Sequence, residues 1–115
     1  MGEHKINYKN KASKACDFPP KVRKEIMRRE QSKCAYCHSR HNLSIAHAFV
    51  PRSKGGLGVK ENGVVLCAVC HHRYDNGLDK EHEPIRKYIE SYMRRLYDIN
   101  TNELVYNRYK NFKYS

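Results

Sequence analysis

The sequence contains no tryptophan and no apolar run approaching the roughly 20 residues of a membrane-spanning helix. With only 39% hydrophobic residues in a chain of 115, the missing tryptophan argues against a large apolar core. A chain this short also buries a smaller share of its surface than a long one, so a metal staple adds stability that packing alone does not supply. The missing apolar run excludes a membrane span, and no charged stretch followed by an apolar one marks export. A soluble, cytoplasmic chain of one domain is therefore expected. There is no internal repeat and no low-complexity tract. Acidic residues are scarce: 12 Asp and Glu stand against 23 Lys and Arg, a net charge of +11 with a pI near 9.6. That imbalance says little about fold but selects a polyanionic partner, because each phosphate neutralised releases condensed counterions. Nucleic acid comes first and an anionic membrane surface second.

What the chain does have is cysteine in pairs. Cys34 and Cys37 form one CxxC, Cys67 and Cys70 another, with 29 residues between them. This spacing suits a tetrahedral structural zinc closed by four thiolates in a reducing compartment, rather than a disulfide framework. His38 adjoins the first pair and is an alternative ligand, but four thiolates already fill zinc's preferred coordination. Cys16 stands outside the pairs and reads as a plain, semi-exposed thiol.

Around the pairs the chain divides into short elements. Residues 1–15 are polar and Lys/Asn-rich, a flexible basic arm able to lie along a phosphate backbone. Asp17-Phe18-Pro19-Pro20 opens a helix, with Asp17 placed to cap it, that runs to about Gln31. Val22, Ile26 and Met27 give that helix one apolar stripe, and Lys21, Arg23, Lys24, Arg28 and Arg29 make the rest positive, either a solvated face or a DNA-backbone contact. Leu43 to His47 alternates like a strand, and Val64-Val65-Leu66 supplies its hairpin partner and delivers Cys67. Between them Pro51 to Gly58 is a flexible basic loop whose three glycines let a backbone come close, and Glu61-Asn62-Gly63 is a turn. A helix is expected from Cys70 to about Tyr74, stopped near Asn76-Gly77. Asp79 to Glu83 reads as loop. Pro84 then starts a helix with Ile85, Tyr88, Ile89, Tyr92, Met93 and Leu96 at three- and four-residue steps, a core or docking face rather than a base-stacking one. Thr101 is placed to cap a final short helix with Leu104, Val105 and Tyr109.

His47, Asn62 and His71 occur in that order, set in PRSKGG, ENGVVLC and CxxCH segments. Together with CDFPPKVRKEIMRREQSKCAYC upstream and PIRKYIESYMRRLYDINTNELVY downstream, they resemble the HNH endonucleases, and in particular small HNH proteins of phages and prophages of Gram-positive bacteria. The similarity covers about Cys16 to Tyr109. It implies an α+β fold: a small ββα-metal finger with structural zinc at about residues 34–77, flanked by an N-terminal helix and by a C-terminal helical extension at about 84–110, all within one nuclease domain over 16–115. It also implies a metal-dependent endonuclease that hydrolyses phosphodiester bonds of DNA. His47 would take a proton from the attacking water, Asn62 would orient His47 by holding the loop backbone or the ring, and His71 would bind one catalytic Mg²⁺ or Mn²⁺. Asp75, four residues on and on the same helix face, is the candidate second ligand, with His72 a weaker one. Arg52, Lys54 and Arg73 are placed to meet phosphate. Phage relatives act with terminase and portal, partners that the resemblance implies here.

One departure divides the reading. Family members carry Asp-His or His-His where this chain has Ala46-His47-Ala48. Counted from Pro51, His47 takes the metal-ligand position and Ala48 the base. Counted from the strand, with one extra residue absorbed as a bulge, His47 is the base and Ala46 replaces the ligand. The alternative in a different class is a zinc-stapled DNA-binding module with a degenerate, inactive nuclease site. Cleavage specificity and oligomeric state leave no mark in the sequence.

Overall fold

The computed structural model describes residues 11–76 and 79–106. The chain runs α1 (Lys11–Cys16), α2 (Pro20–Arg29), β1 (Leu43–His47), β2 (Gly63–Cys67), α3 (Ala68–Asn76) and α4 (Asp79–Leu96), with 3-10 turns at Arg52–Lys54, Lys60–Asn62 and Thr101–Leu104. β1 and β2 pair antiparallel with Leu43 opposite Cys67 and His47 opposite Gly63. Every residue of β2 is buried, which suits Val64, Val65 and Leu66, since a strand covered on both faces reads as a continuous apolar run rather than an alternating one. One face of the hairpin, with Ala46, Val64 and Leu66, packs on Cys70 and Tyr74 of α3 and on Ile85, Ile89 and Met93 of α4. The other face, with Val65 and Ile45, packs on Phe18 and Ile26. Full burial of Ile26, Ile85, Ile89 and Met93 contributes about 1.5–3 kcal/mol each, and it ties both helical layers to the two strands. This is the small ββα unit with flanking helices that the sequence implied.

The glycine-containing part of the long connection from β1 to β2 is packed against the rest of the chain. Gly56 sits so close to Val50 that an added Cβ would fall 1.8 Å from the Val50 carbonyl oxygen, and Gly58 so close to Asp17 that it would fall 2.0 Å from that carbonyl. The glycines of this loop thus admit the chain's own backbone. Leu57 donates to the Leu104 carbonyl, Gly58 to the Ala15 carbonyl, and Tyr106 to Gly55.

Several local expectations are corrected. Residues 11–15, read as the end of the arm, belong to α1, while residues 1–10, Gly77 and Tyr109 lie outside the described residues. Asp17 does not cap α2: the cap position is Pro19, without a side-chain bond, and Asp17 pairs with Arg52 instead. α2 ends at Arg29, because Gln31 and Ser32 adopt left-handed backbone. Cys16 is buried, at 4% exposure. α4 begins at Asp79, ahead of Pro84, and its early turns are anchored on α3 where His82 Nδ1 lies 2.7 Å from the Tyr74 carbonyl oxygen. The last element is a 3-10 turn capped by Asn100, whose side chain accepts from Asn102 N–H, rather than a helix capped by Thr101.

Candidate metal centre and active-site cleft

Cys34 and Cys37 lie in the turn after α2, Cys67 ends β2, and Cys70 lies in the first turn of α3. Pairing of the two strands therefore carries the second CxxC back to the first. The four sulfurs all lie within 4.8 Å of one another, with Cys37 and Cys67 at 3.6 Å. Four thiolates at about 2.3 Å from a tetrahedral zinc are about 3.8 Å apart, so the cluster fits one structural ion. Among the described residues it is the one cluster of at least three such side chains able to hold a metal. Burial raises the Cys34 thiol, but amide hydrogen bonds from Cys37, Cys67 and Tyr36 prevail and hold it at about 7. Burial and neighbouring thiols push Cys70 up. Metal binding must then displace a proton there, which couples affinity to pH. His38 is exposed in left-handed backbone and stands outside the cluster.

A separate open cleft of ≈ 430 Å³ is lined by Ala46, His47, Arg52, His71 and Asp75, among others. His47, the last residue of β1, is half-buried, tilted against the Phe18 ring at 4.7 Å between centroids. Its Nε2 lies 2.8 Å from the Cys16 carbonyl oxygen. A carbonyl only accepts, so Nε2 of the neutral ring carries the proton and Nδ1 keeps the lone pair. Burial lowers the pKa of His47 below its ordinary 6.5; the Cys16 carbonyl opposes that, and Arg52 adds to it.

Asn62 supports the cleft from behind. It is fully buried, and its carboxamide is saturated: Oδ1 accepts from Phe49 N–H at 2.8 Å and Val50 N–H at 3.1 Å, while Nδ2 donates to the carbonyls of Val50 and Leu57 at 3.0 Å each. Ala48 N–H donates to the Asn62 carbonyl at 2.8 Å. The three residues after His47 are thus suspended from one side chain and its own peptide. On α3, His71 Nδ1 lies 2.8 Å from Ser44 Oγ and His71 Nε2 lies 3.0 Å from Asp75 Oδ2. The His71–Asp75 contact is an i, i+4 ion pair when the ring is protonated, and its length is also close to the about 3.0 Å between neighbouring ligands of an octahedral ion at 2.0–2.1 Å.

Of Ala46, His47 and Ala48, only the first two face the cleft. Ala48 is 2% exposed, packed in the core, and its carbonyl accepts a hydrogen bond from the Tyr74 hydroxyl.

Compared with known proteins, residues 34–77 match the family model described as HNH endonuclease. Residues 34–77 form an HNH endonuclease domain. A protein of Nostoc sp. named Anaredoxin is 30% identical over 57 residues, which is 50% of this chain and 75% of that protein. No solved structure matches significantly.

The matched HNH segment spans from the first zinc-site cysteine through α3 and so contains His47, Asn62, His71 and Asp75. Of the basic residues expected near phosphate, Arg52 borders the cleft and pairs with Asp17, Lys54 is exposed at the end of its 3-10 turn, and Arg73 is exposed on α3. His72 lines an adjoining hollow of ≈ 510 Å³ that shares His71 and Asp75 with the cleft. Two supports lie outside what sequence reading found. The Cys16 carbonyl and the Phe18 ring fix His47, yet a backbone carbonyl leaves no signature and Phe18 resembles any core aromatic. Ser44 holds His71; its position three residues before His47 on the opposite pleat was the one available signal.

Proposed function

We propose that this chain is a metal-dependent HNH endonuclease acting on DNA, with His47 as general base. The observation that carries the reading is the convergence of His47, His71, Asp75 and Arg52 on one cleft whose wall is fixed by the buried Asn62. With its Nε2 proton committed to Cys16, neutral His47 accepts at Nδ1 the proton of a water as the water oxygen bonds to phosphorus and the bond from phosphorus to the 3′ oxygen breaks. The depressed pKa keeps that ring neutral at physiological pH. Asn62 touches no substrate; it holds the peptides of residues 48–50 and with them the end of β1. His71 and Asp75 would hold one Mg²⁺ or Mn²⁺, which when bound supplies positive charge to the phosphate and the leaving oxygen. Arg52 lies where it can meet a phosphate, and Lys54 and Arg73 extend the positive surface beyond it. This assigns His47 to the base position and Ala46 to the place of the missing ligand.

A second reading, a zinc-stapled DNA-binding module without catalysis, is favoured by Ala46, a methyl group where the family carries a ligand. Relaxation of supercoiled plasmid by the zinc-loaded chain separates the two. The enzyme relaxes plasmid when Mg²⁺ or Mn²⁺ is added and loses that activity in His71→Ala; binding without relaxation under either ion supports the module.

A further inference from the structure

Arg29 and Glu30, at the C-terminal end of α2, form a dense hydrogen-bonded group. Arg29, whose side chain is 13% exposed, aims one guanidinium at two neighbouring peptides: Nη1 donates to the Lys60 carbonyl at 3.0 Å and Nη2 to the Gly63 carbonyl at 2.6 Å. Those carbonyls bracket the 3-10 turn Lys60–Asn62. The same guanidinium donates from Nε and Nη2 to the Glu30 carboxylate at 2.5 and 3.0 Å, and from Nη1 to the Tyr97 hydroxyl at 3.3 Å. Glu30 is held in turn: the Tyr92 hydroxyl donates to it at 2.5 Å and Val65 N–H at 3.3 Å. The fork is thereby locked from α4 and from β2 before it reaches the turn.

The turn it grips is the one on which the cleft depends. Gly63 is the cross-strand partner of His47. Asn62, between the two gripped carbonyls, carries the peptides of residues 48–50. Five acceptor contacts, to two carbonyls, both Glu30 oxygens and the Tyr97 hydroxyl, use the five N–H donors of the planar guanidinium, whereas an ammonium offers three donors at a single point.

We propose that Arg29 is a positioning residue for the cleft: by clamping the Lys60 and Gly63 carbonyls it sets Asn62, and through Asn62 the backbone that carries His47. The catalytic part of this rests on His47 being the base, whereas the clamp itself does not. A purely structural arginine would change stability alone.

Two readouts on the full-length, zinc-loaded chain test it. In the wild type, NMR hydrogen exchange should find the Arg29 guanidinium protons and the Asn62 carboxamide protons protected to a similar degree. A freely exchanging Arg29 beside a protected Asn62 overturns the clamp without any variant. In Arg29→Lys, with zinc content and folded fraction measured alongside, Asn62 carboxamide exchange should quicken and kcat for plasmid nicking should fall by about 10- to 100-fold, the scale of a small misplacement. KM should stay within about twofold. Unchanged exchange with unchanged kcat, or a kcat loss that only tracks the unfolded fraction, overturns the proposal. Faster Asn62 exchange in the variant of a chain that never nicks DNA upholds the clamp and removes the nuclease reading instead.

Discussion

His47 Nε2 lies 2.8 Å from the backbone carbonyl oxygen of Cys16, so the last residue of α1 fixes which ring nitrogen is basic. Burial lowers the pKa of that ring below 6.5. A general base works unprotonated, so kcat/KM for nicking should be level at neutral pH and fall as pH drops through a midpoint below 6.5. Zinc content measured at each pH separates this limb from loss of the thiolate site. A midpoint above 6.5 at constant zinc content contradicts His47 as the titrating base.

The four bonds of the Asn62 side chain lead to a stability prediction. Asn62→Ala strands two amides and two carbonyls in a site with no exposure. At about 1–3 kcal/mol for each buried group left unpaired, the loss should be at least about 3 kcal/mol once some relaxation is allowed. Thermal denaturation should show a fall in Tm of more than about 10 °C. Asn62→Asp should retain acceptance from Phe49 and Val50 and lose both donations, also destabilising the fold. A change of only a degree or two in the alanine variant contradicts the suspended-loop picture.

Zinc should be stoichiometric and structural. Elemental analysis should find one zinc per chain, and a strong chelator should abolish cooperative unfolding, because binding free energy at such sites is folding free energy. Cys67→Ser, at the junction of β2 and α3, should have the same effect. A chelated chain that still unfolds cooperatively at an unchanged Tm contradicts this role.

A net charge of +11 should make DNA affinity strongly dependent on salt. Lys54→Ala and Arg73→Ala should each weaken binding without regard to sequence and reduce the slope of log K against log salt by about 1. Fluorescence anisotropy with a short duplex measures both. A flat salt response removes the phosphate-binding surface.

How much of this could be read from the chain depends on the range of the interaction concerned. The two CxxC pairs, the Leu43–His47 strand and the order His47, Asn62, His71 are local patterns, and the structure assembles the four sulfurs and the cleft from them. Pairings across the chain left no such trace. Asp17 looked like a helix cap until Arg52, 35 residues later, came to lie beside it. Arg29 reads from the sequence as part of a solvated or DNA-facing positive face, yet its guanidinium is largely covered and bonded to Glu30 and to the hydroxyl of Tyr97, just beyond the end of α4. The glycines of the 55–58 stretch suggested flexibility, but which backbone they approach is settled by the contacts at Val50 and Asp17.

The central claim is that His47 removes a proton from water in a phosphodiester-cleaving site, and nicking of supercoiled plasmid by the wild type beside His47→Ala, at equal zinc content and saturating Mg²⁺ or Mn²⁺, tests it most directly. Loss of a positioned base costs about 10²- to 10⁴-fold in rate, so the variant should be slower by at least about 100-fold while still binding DNA. Equal rates in the two proteins would contradict the claim.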